Sequence, residues 1–415
     1  MWSARFCQQF STILRPQHLA STLSAKGSQR QAMGLLLLSL FFLACATRTS
    51  TAQAQPSQQA PLILNIQGDL WAWAGPGTKL QRRTNWGYNK APVVSPDGKQ
   101  IAYKSTAQVA VDAIRRVGGY GGGDLPANIW VLDVATNNAV RVADQPKDAS
   151  LMNPNRPDKY IVRSDPTWAG DGTLVVWTEL GQDVAAQPQG AYTLVIYDLA
   201  SNLARRIDLK LPPQYGVPAA PQVAGSAAYL AVRSTVFATD AKGSATGLDS
   251  LLIYDTQGAL ISTAQIGLLT EFTWIKYQGK DYVAVVSIGS PDTPADPHWL
   301  LVEPRSGRVS EMPGIPELYN PAAPDSLGLV PRSLGTAPDW QIVAPGKPLA
   351  QLGTIDDVYA ISSVLTISPD GQQFAYVKDG AAYIYSAGQA VKVGATEVSA
   401  LAWGPMAWRV REKVG

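Results

Sequence analysis

The 415-residue chain is long enough for one large core or several ordinary ones, and only 16% of its residues are charged. Its 36 Gly, 30 Pro, 12 Trp and 16 Tyr suit short strands joined by tight turns, and argue against a helical bundle or a disordered chain. The formal charge of +2 hides an asymmetry: Arg5, Arg15, Lys26, Arg30 and Arg48 all precede the first carboxylate, Asp69, and the 29 other basic residues face 32 acids, which excludes a surface built for nucleic acid.

The leader comes first in chain order. Met33–Ala46, MGLLLLSLFFLACA, is an apolar run preceded by basic residues. It is shorter than the roughly 20 residues of a membrane span and matches a signal-peptide core. Residues 1–46 therefore read as a signal leader. Phe42-Leu43-Ala44-Cys45 is similar to a bacterial lipobox, which would make Cys45 the lipidated residue; Ala52-Gln53-Ala54 is a competing site for ordinary signal peptidase. Residues 47–60 are polar and rich in Pro, Gln and Ser, as in a flexible tether. Cys7 and Cys45 are the only cysteines. The domain that follows, 61–411, thus has no disulfide, thiolate metal site or Cys nucleophile.

Within that domain one phrase occurs twice, VSPDGKQIAYKS from Val94 and ISPDGQQFAYVKDG from Ile367. Ser-Pro-Asp-Gly is a tight turn, and the residues after it alternate as a strand. Strand–turn–strand segments recur between the two copies. Outer hairpins are predicted from Asn128, Tyr192, Ser250, His298 and Asp339, and inner ones from Asp165, Ala220 and Phe272, with a weaker one around Leu318–Arg332. About seven units of four strands, roughly 50 residues each, give the period of propeller blades. The expectation is an all-β, seven-bladed β-propeller, with six blades as the alternative. Val398–Trp403 is expected to pair with the sheet of Leu62–Arg83 and so close the ring.

The Pro-x-x-Ser-Pro-Asp-Gly-x-x-Ile-Ala-Tyr pattern, followed by Asn-Ile-Trp-Val-Leu-Asp, resembles the TolB-like, WD-repeat-like β-propeller family. Val93–Tyr103 and Ile367–Tyr376 carry it best, and Asp165–Trp177 more loosely. The resemblance implies a fold more than a function. TolB itself has a further α/β domain before its propeller, where this chain has a signal and tether. Prolyl-oligopeptidase-like enzymes add a hydrolase domain, and no Gly-x-Ser-x-Gly occurs here.

In such a propeller, turns between strands one and two, and between three and four, share a face. Here these are short. The long segments, Ser105–Ala127, Asp144–Ser164, Leu180–Gly190, Thr235–Asp249 and Ile288–Pro297, fall on the other face, the default place for function. The first predicts a helix N-capped by Ser105, with an apolar stripe of Val109, Ala110, Ala113, Ile114 and Val117, ended by Gly118. Gly118–Asp124, GGYGGGD, matches neither the dinucleotide nor the P-loop pattern and reads as a loop.

Candidate binding residues on this face are Trp86, Tyr88, Arg115, Arg116, Tyr120, Asp124, Arg156, Tyr160, Asp292, Asp296 and His298. Arg115 and Arg116 suit an anion, or simply the helix dipole. Asp292, Asp296 and His298 contain metal-ligand types within a Pro-rich stretch, and the reading is of surface residues with no metal. His298 is the one histidine outside the leader, so any His-based catalysis in the domain must use it. Asp356-Asp357 reads as solvated acids. The recurring tryptophans read as packing between blades.

No cofactor is expected, and no catalytic residue is singled out. The functional expectation is an exported, non-enzymatic propeller in the cell envelope or secreted. It would bind a protein, peptide or polysaccharide through its elaborated face, with no nucleic acid, and would meet a membrane only through an anchor at Cys45. The alternative is a hydrolase or lyase with a carboxylate-based site at the central channel mouth.

Overall fold

The computed structural model describes residues 60–119, 125–183, 192–209, 220–239, 245–289, 294–325, 327–331, 339–344, 347–354 and 364–412. Residues 1–59, which hold Cys45 and were expected to form a leader and most of a tether, lie outside them, as do Tyr120, Asp124, Asp292 and Asp356-Asp357.

The described residues form mostly antiparallel strands, in sequence order. The first sheet runs Val398–Ala402, Leu62–Ile66, Asp69–Trp73, Gln81–Arg82. The second is Asn89–Val94, Gln100–Thr106, Ala127–Asp133, Ala139–Ala143. In the third, Lys159–Arg163 and Thr167–Ala169 both pair with Leu174–Asp183, followed by Tyr192–Asp198 and Leu203–Leu209. The fourth is Val223–Gly225, Tyr229–Thr239, Ala245–Asp255, Leu260–Gly267. Leu365–Ile367, Phe374–Lys378, Ala381–Ser386 and Gln389–Thr396 form a further four-stranded sheet.

Between those two stands a nine-stranded sheet holding two four-strand runs. One begins at Leu269–Tyr277 and the other at Gly314–Tyr319. What joins them is Ala407–Glu412, which pairs antiparallel with Gly314–Tyr319 and parallel with Leu269–Tyr277. The sequence predicts only the start of a turn after Trp403. The structure instead continues the chain as a strand, because two free edges are available to satisfy its backbone.

The earliest strand lies against one of the latest. Ile63 faces Ala402, Leu64 faces Leu401, and Ile66 faces Val398 across a bulge. Val398–Ala402 also touches Asn89–Val94, Leu365–Ile367 and Phe374–Lys378. Trp403 Nε1 donates to the Ala60 carbonyl at 2.8 Å. The same device recurs: Trp168 Nε1 reaches Val93 O at 2.9 Å, and Trp274 Nε1 reaches Ala224 O at 3.0 Å. Trp168 and Trp274 thus satisfy a carbonyl of the neighbouring sheet, whereas Trp403 and Ala60 flank two paired strands of one sheet.

The two copies of the repeated phrase form the same circuit. Ser95 Oγ donates to Asp97 at 2.6 Å and accepts from Gln100 N at 3.0 Å, while Gly98 N closes the turn on Ser95 O at 2.8 Å. Ser368 Oγ donates to Asp370 at 2.5 Å and accepts from Gln373 N at 3.0 Å, and Gly371 N closes on Ser368 O at 2.9 Å. At the looser copy, which has Ala and Gly in place of the Ser and Pro, Gly170–Gly172 forms a 3-10 turn directly after the strand Thr167–Ala169.

Three of the long connections are shorter than the sequence suggests. Tyr229–Thr239 and Ala245–Asp255 stay paired out to Thr239 and Ala245, so most of Thr235–Asp249 is hairpin. Leu174–Asp183 takes in the first four residues of Leu180–Gly190. Strand pairing reaches Gly289 and resumes at Pro294, placing Asp296 and His298 in a strand.

Candidate functional site

The connections on one side of the first three sheets interlock, starting from the turn Gln67-Gly68. Gly68 has φ +77°, and a Cβ there would lie 2.2 Å from Gly87 O. Only glycine lets the first turn meet the connection 83–88 this closely. Asn89 N donates to Gly68 O at 2.7 Å, and Asn65 Nδ2 donates to Asn89 O at 2.7 Å.

Asp69 organises the rest. Its buried carboxylate accepts from Thr84 Oγ1 at 2.9 Å, Gly87 N at 3.0 Å and Asn89 Nδ2 at 3.2 Å, and from the Arg82 guanidinium. Four donors on one carboxylate fix the backbone between Thr84 and Asn89. Trp86 and Tyr88 are held on that backbone. Trp86 Nε1 donates to Thr106 O at 2.9 Å, and Thr106 N donates to Tyr88 O at 3.0 Å. The rings stand 5.7 Å apart at 60°. Tyr88 is 36% exposed.

Helix α1 (Gln108–Val117) follows directly. Gly118, at φ +75°, ends it as expected, its N–H closing on Ile114 O. Ser105 does not cap it: Ser105 is buried in the preceding strand, and the N-cap position is Ala107, which makes no side-chain cap. The buried face is Ala110, Val111 and Ala113; Val117 is 46% exposed. The buried face thus takes in Val111 and leaves Val117 outside, and the helix starts two residues later than Ser105 would place it. Arg116 Nη2 donates to Leu151 O at 2.8 Å, tying α1 to the connection 144–158. Arg115 is exposed.

That connection is pinned at its base by Gln145, whose Nε2 donates to Ala127 O and Ile161 O, both at 2.9 Å, and whose Oε1 accepts from Ile161 N. Its acids are spent on local partners. Asp158 accepts from Met152 N at 2.7 Å, and Asp144 pairs with Arg141 at 2.8 Å. Asp148 takes the Lys159 ammonium at 2.7 Å, and that hydrogen bond holds its carboxyl below the usual aspartate value. Arg156 is exposed in the same connection, and its charge acts on Asp148.

Beneath lies a buried ionic network. Arg163 donates through Nε to Glu179 at 2.8 Å, through Nη2 to Asp144 O at 2.8 Å, and through Nη1 to Ala127 O. Trp177 Nε1 reaches Glu179 at 2.9 Å, and Arg206 pairs with its second oxygen. Burial pushes the Glu179 carboxyl up, but Arg163, Trp177 and Arg206 together hold it below its ordinary value.

The remaining candidates are spread elsewhere. Tyr160 is 8% exposed and packs with Ala110, Ala113 and Leu151, supporting α1 from below. His298 Nδ1 lies 2.8 Å from Asp296 O, and its Nε2 lies 3.9 Å from Glu311. Trp86, Tyr88, Arg115 and Arg116 are therefore joined by hydrogen-bonded connections, whereas Asp296 and His298 sit on the strand Pro294–Val302. Sequence reasoning missed Asp69, Asn65 and Asn89. The signal available was Asp69 itself, the first acid of the chain, placed just after a Gln-Gly turn.

Other buried carboxylates are also matched. Asp249 takes Arg233 twice at 3.0 Å, and Glu317 takes Arg409 at 3.0 and 2.9 Å. Glu271 differs: burial pushes its carboxyl up to about 7. Among the described residues, no group of three or more His, Cys, Asp or Glu gathers as a metal site. A cavity of about 600 Å³ lies between outer strands of the first and last sheets, walled by Trp73, Leu80, Ile384, Val391 and Lys392.

No family model matches the chain, and no curated protein matches it. Among solved structures it is similar to Porphyromonas gingivalis dipeptidyl peptidase 4, at 10% identity and TM-score 0.39, covering 80% of this chain and 49% of that one. The chain thus spans about half of that peptidase's length. It is similar also to the β-propeller domain of the trilobed protease from Pyrococcus furiosus, at 11% identity and TM-score 0.39, over 74% of this chain and 84% of that one. A putative TolB from Agrobacterium tumefaciens aligns at 16% identity and TM-score 0.30, over 61% and 79%.

Proposed function

We propose that the chain is an exported, non-enzymatic, seven-bladed β-propeller of the TolB-like kind. Its ring is closed where Leu62–Ile66 pairs with Val398–Ala402, and it binds a protein, peptide or polysaccharide partner at the cell envelope. The seven-blade reading is supported by counting the two runs of the nine-stranded sheet as separate blades. The binding reading rests on one observation above all. The connections 83–88, 106–126 and 144–158 are cross-linked by hydrogen bonds into one platform that presents Tyr88, half-buried Trp86 and Arg115. Aromatic rings fixed before binding cost little entropy on association, and two of the platform's acids, Asp144 and Asp148, are already paired with Arg141 and Lys159.

The test is affinity capture from native envelopes with the full chain as bait, comparing wild type with a Tyr88→Ser/Arg115→Glu variant. Both substituted side chains are exposed, so melting should be unchanged. Recovery of the bound partner should fall at least about tenfold, the effect of losing roughly 1.4 kcal/mol. Equal recovery from both baits would reject this platform as the binding surface.

A further inference from the structure

The outermost strand of the first sheet, Gln81–Arg82, is two residues long, whereas Gln389–Thr396, outermost in the last sheet, has eight. Residues 74–80 loop out ahead of the short strand, and the cavity of about 600 Å³ opens between them and the longer one. Its walls continue the core outward. Ile384 and Val393 are buried there, and Trp73 and Leu80 pack against the same cluster. By strand alternation Ile384, Ser386, Val391 and Val393 share one face of the last sheet, with Ile384 opposite Val391 and Ser386 opposite Gln389. The cavity meets the first sheet at Trp73, the far end of the strand Asp69–Trp73 from Asp69, so it is separate from the platform and does not rest on the function proposed for it.

We infer that this trough binds an amphiphilic monocarboxylate, its unbranched apolar chain lying along the last sheet and its carboxylate held by Lys392. Charge and shape carry the inference. Lys392 is the single charged residue of the lining, which contains no acid. It makes no ion pair or hydrogen bond among the described residues. Ser386 Oγ accepts from Gln373 Nε2 at 3.2 Å, and its own proton has no acceptor among the described residues. An ammonium and a free hydroxyl proton beside apolar walls offer donors that an anion satisfies. On the last sheet the lining runs from Ser386, opposite Gln389, to Gly394, five strand positions or roughly 16 Å. A volume of about 600 Å³ spread over that length has a cross-section under about 40 Å², which suits one chain rather than a broad ring system. The protein's own residues 47–59 hold Arg48 and no acid, so they offer Lys392 no counter-charge.

The experiment titrates dodecanoate, below its micelle-forming concentration, into the full chain by calorimetry. Octanoate, dodecylammonium and naphthalene-2-carboxylate are titrated alongside. Dodecanoate should saturate a single site that dodecylammonium fills poorly. It should bind more tightly than octanoate, by up to about fourfold for each added methylene. Lys392 is exposed, so Lys392→Glu should leave melting unaltered. That variant should bind dodecanoate at least about tenfold more weakly and should prefer dodecylammonium. The absence of saturable binding, or equal dodecanoate affinity in wild type and Lys392→Glu, would overturn the inference. So would equal affinities for octanoate and dodecanoate, since the chain would then not lie in the trough. Tighter binding of naphthalene-2-carboxylate than of dodecanoate would overturn the argument from shape. Binding of a synthetic peptide of residues 47–59 in place of dodecanoate would overturn the argument from charge and assign the trough to the protein's own preceding segment.

Discussion

Removing the Arg409 side chain should cost the chain much of its margin of stability. Glu317 is buried to 4% side-chain exposure, and Arg409 supplies two hydrogen bonds to it at 3.0 and 2.9 Å. Gly328 closes the space around the carboxylate: a Cβ there would lie 2.0 Å from Oε1. Glu317 therefore stays shielded from water on that side when its partner is lost. In Arg409→Met the stem is replaced by a similar apolar volume, and the carboxylate is left with Arg411, 3.8 Å away, as its remaining cation. Breaking a buried pair costs about 3–5 kcal/mol; with Arg411 present and Arg409 itself 30% exposed, about 3 kcal/mol is expected. Glu317→Gln/Arg409→Met removes the stranded charge and should recover roughly 2 kcal/mol of that loss. Urea unfolding followed by tryptophan fluorescence reads both, with the m-value checking that the unfolded states compare. A loss below about 1 kcal/mol, or strictly additive single changes, would refute the claim that this pair fastens the last strand.

Stability should also depend on Glu271. Its folded pKa, about 7, lies above its ordinary 4.5, so the stability it contributes is fully present below about pH 4.5 and is lost as pH rises through 7. Glu271→Gln should match wild type near pH 4.5 and exceed it by up to about 3 kcal/mol at pH 8; parallel pH profiles would contradict this. Ser95→Ala and Ser368→Ala should each cost about 2 kcal/mol, because each deletes a fully buried hydroxyl with two hydrogen bonds. Unequal losses by chemical denaturation would show that the two turns are not mechanically equivalent. Gly225→Ala places a methyl 2.3 Å from Trp168 O and should lose about 1–3 kcal/mol, whereas Gly181→Ala meets nothing within 4 Å and should stay within about 0.5 kcal/mol in the same assay.

The strands were legible because turn chemistry and alternation are local. Ser95–Gly98 and Ser368–Gly371 announce their hairpins, and the pairing of Leu318 with Leu329 follows from a weaker version of the same pattern. Helix α1 was legible from its apolar spacing and from Gly118. Its start was misjudged because Ser105 belongs to a strand whose neighbour, Asn89, cannot be seen from the sequence. The hairpin at Thr235–Asp249 was read as a loop because polar residues paired at a sheet's end look the same as unpaired ones. Ala407–Glu412 was missed for a deeper reason. Its fate depends on which edges remain open elsewhere in the sheets, and no local window contains that information. The platform is a mixed case. Trp86, Tyr88 and Arg115 stood out as loop residues of unusual type, but the Asp69 carboxylate that holds the first two in place is tied to them only through the folded backbone.

The hydrogen bond from Trp403 to Ala60 spans 343 residues of sequence. At about 5–20 residues per second, the ribosome takes roughly 17–70 s to make the chain between them. Throughout that interval Leu62–Ile66 has its outer neighbour, Asp69–Trp73, but not its inner one. The first part of the domain to be synthesised is thus among the last to be completed. A chain delayed or released before Val398 carries an open apolar strand edge for as long as it exists. Quality-control factors that recognise such edges would meet this protein at its oldest residues, not its newest.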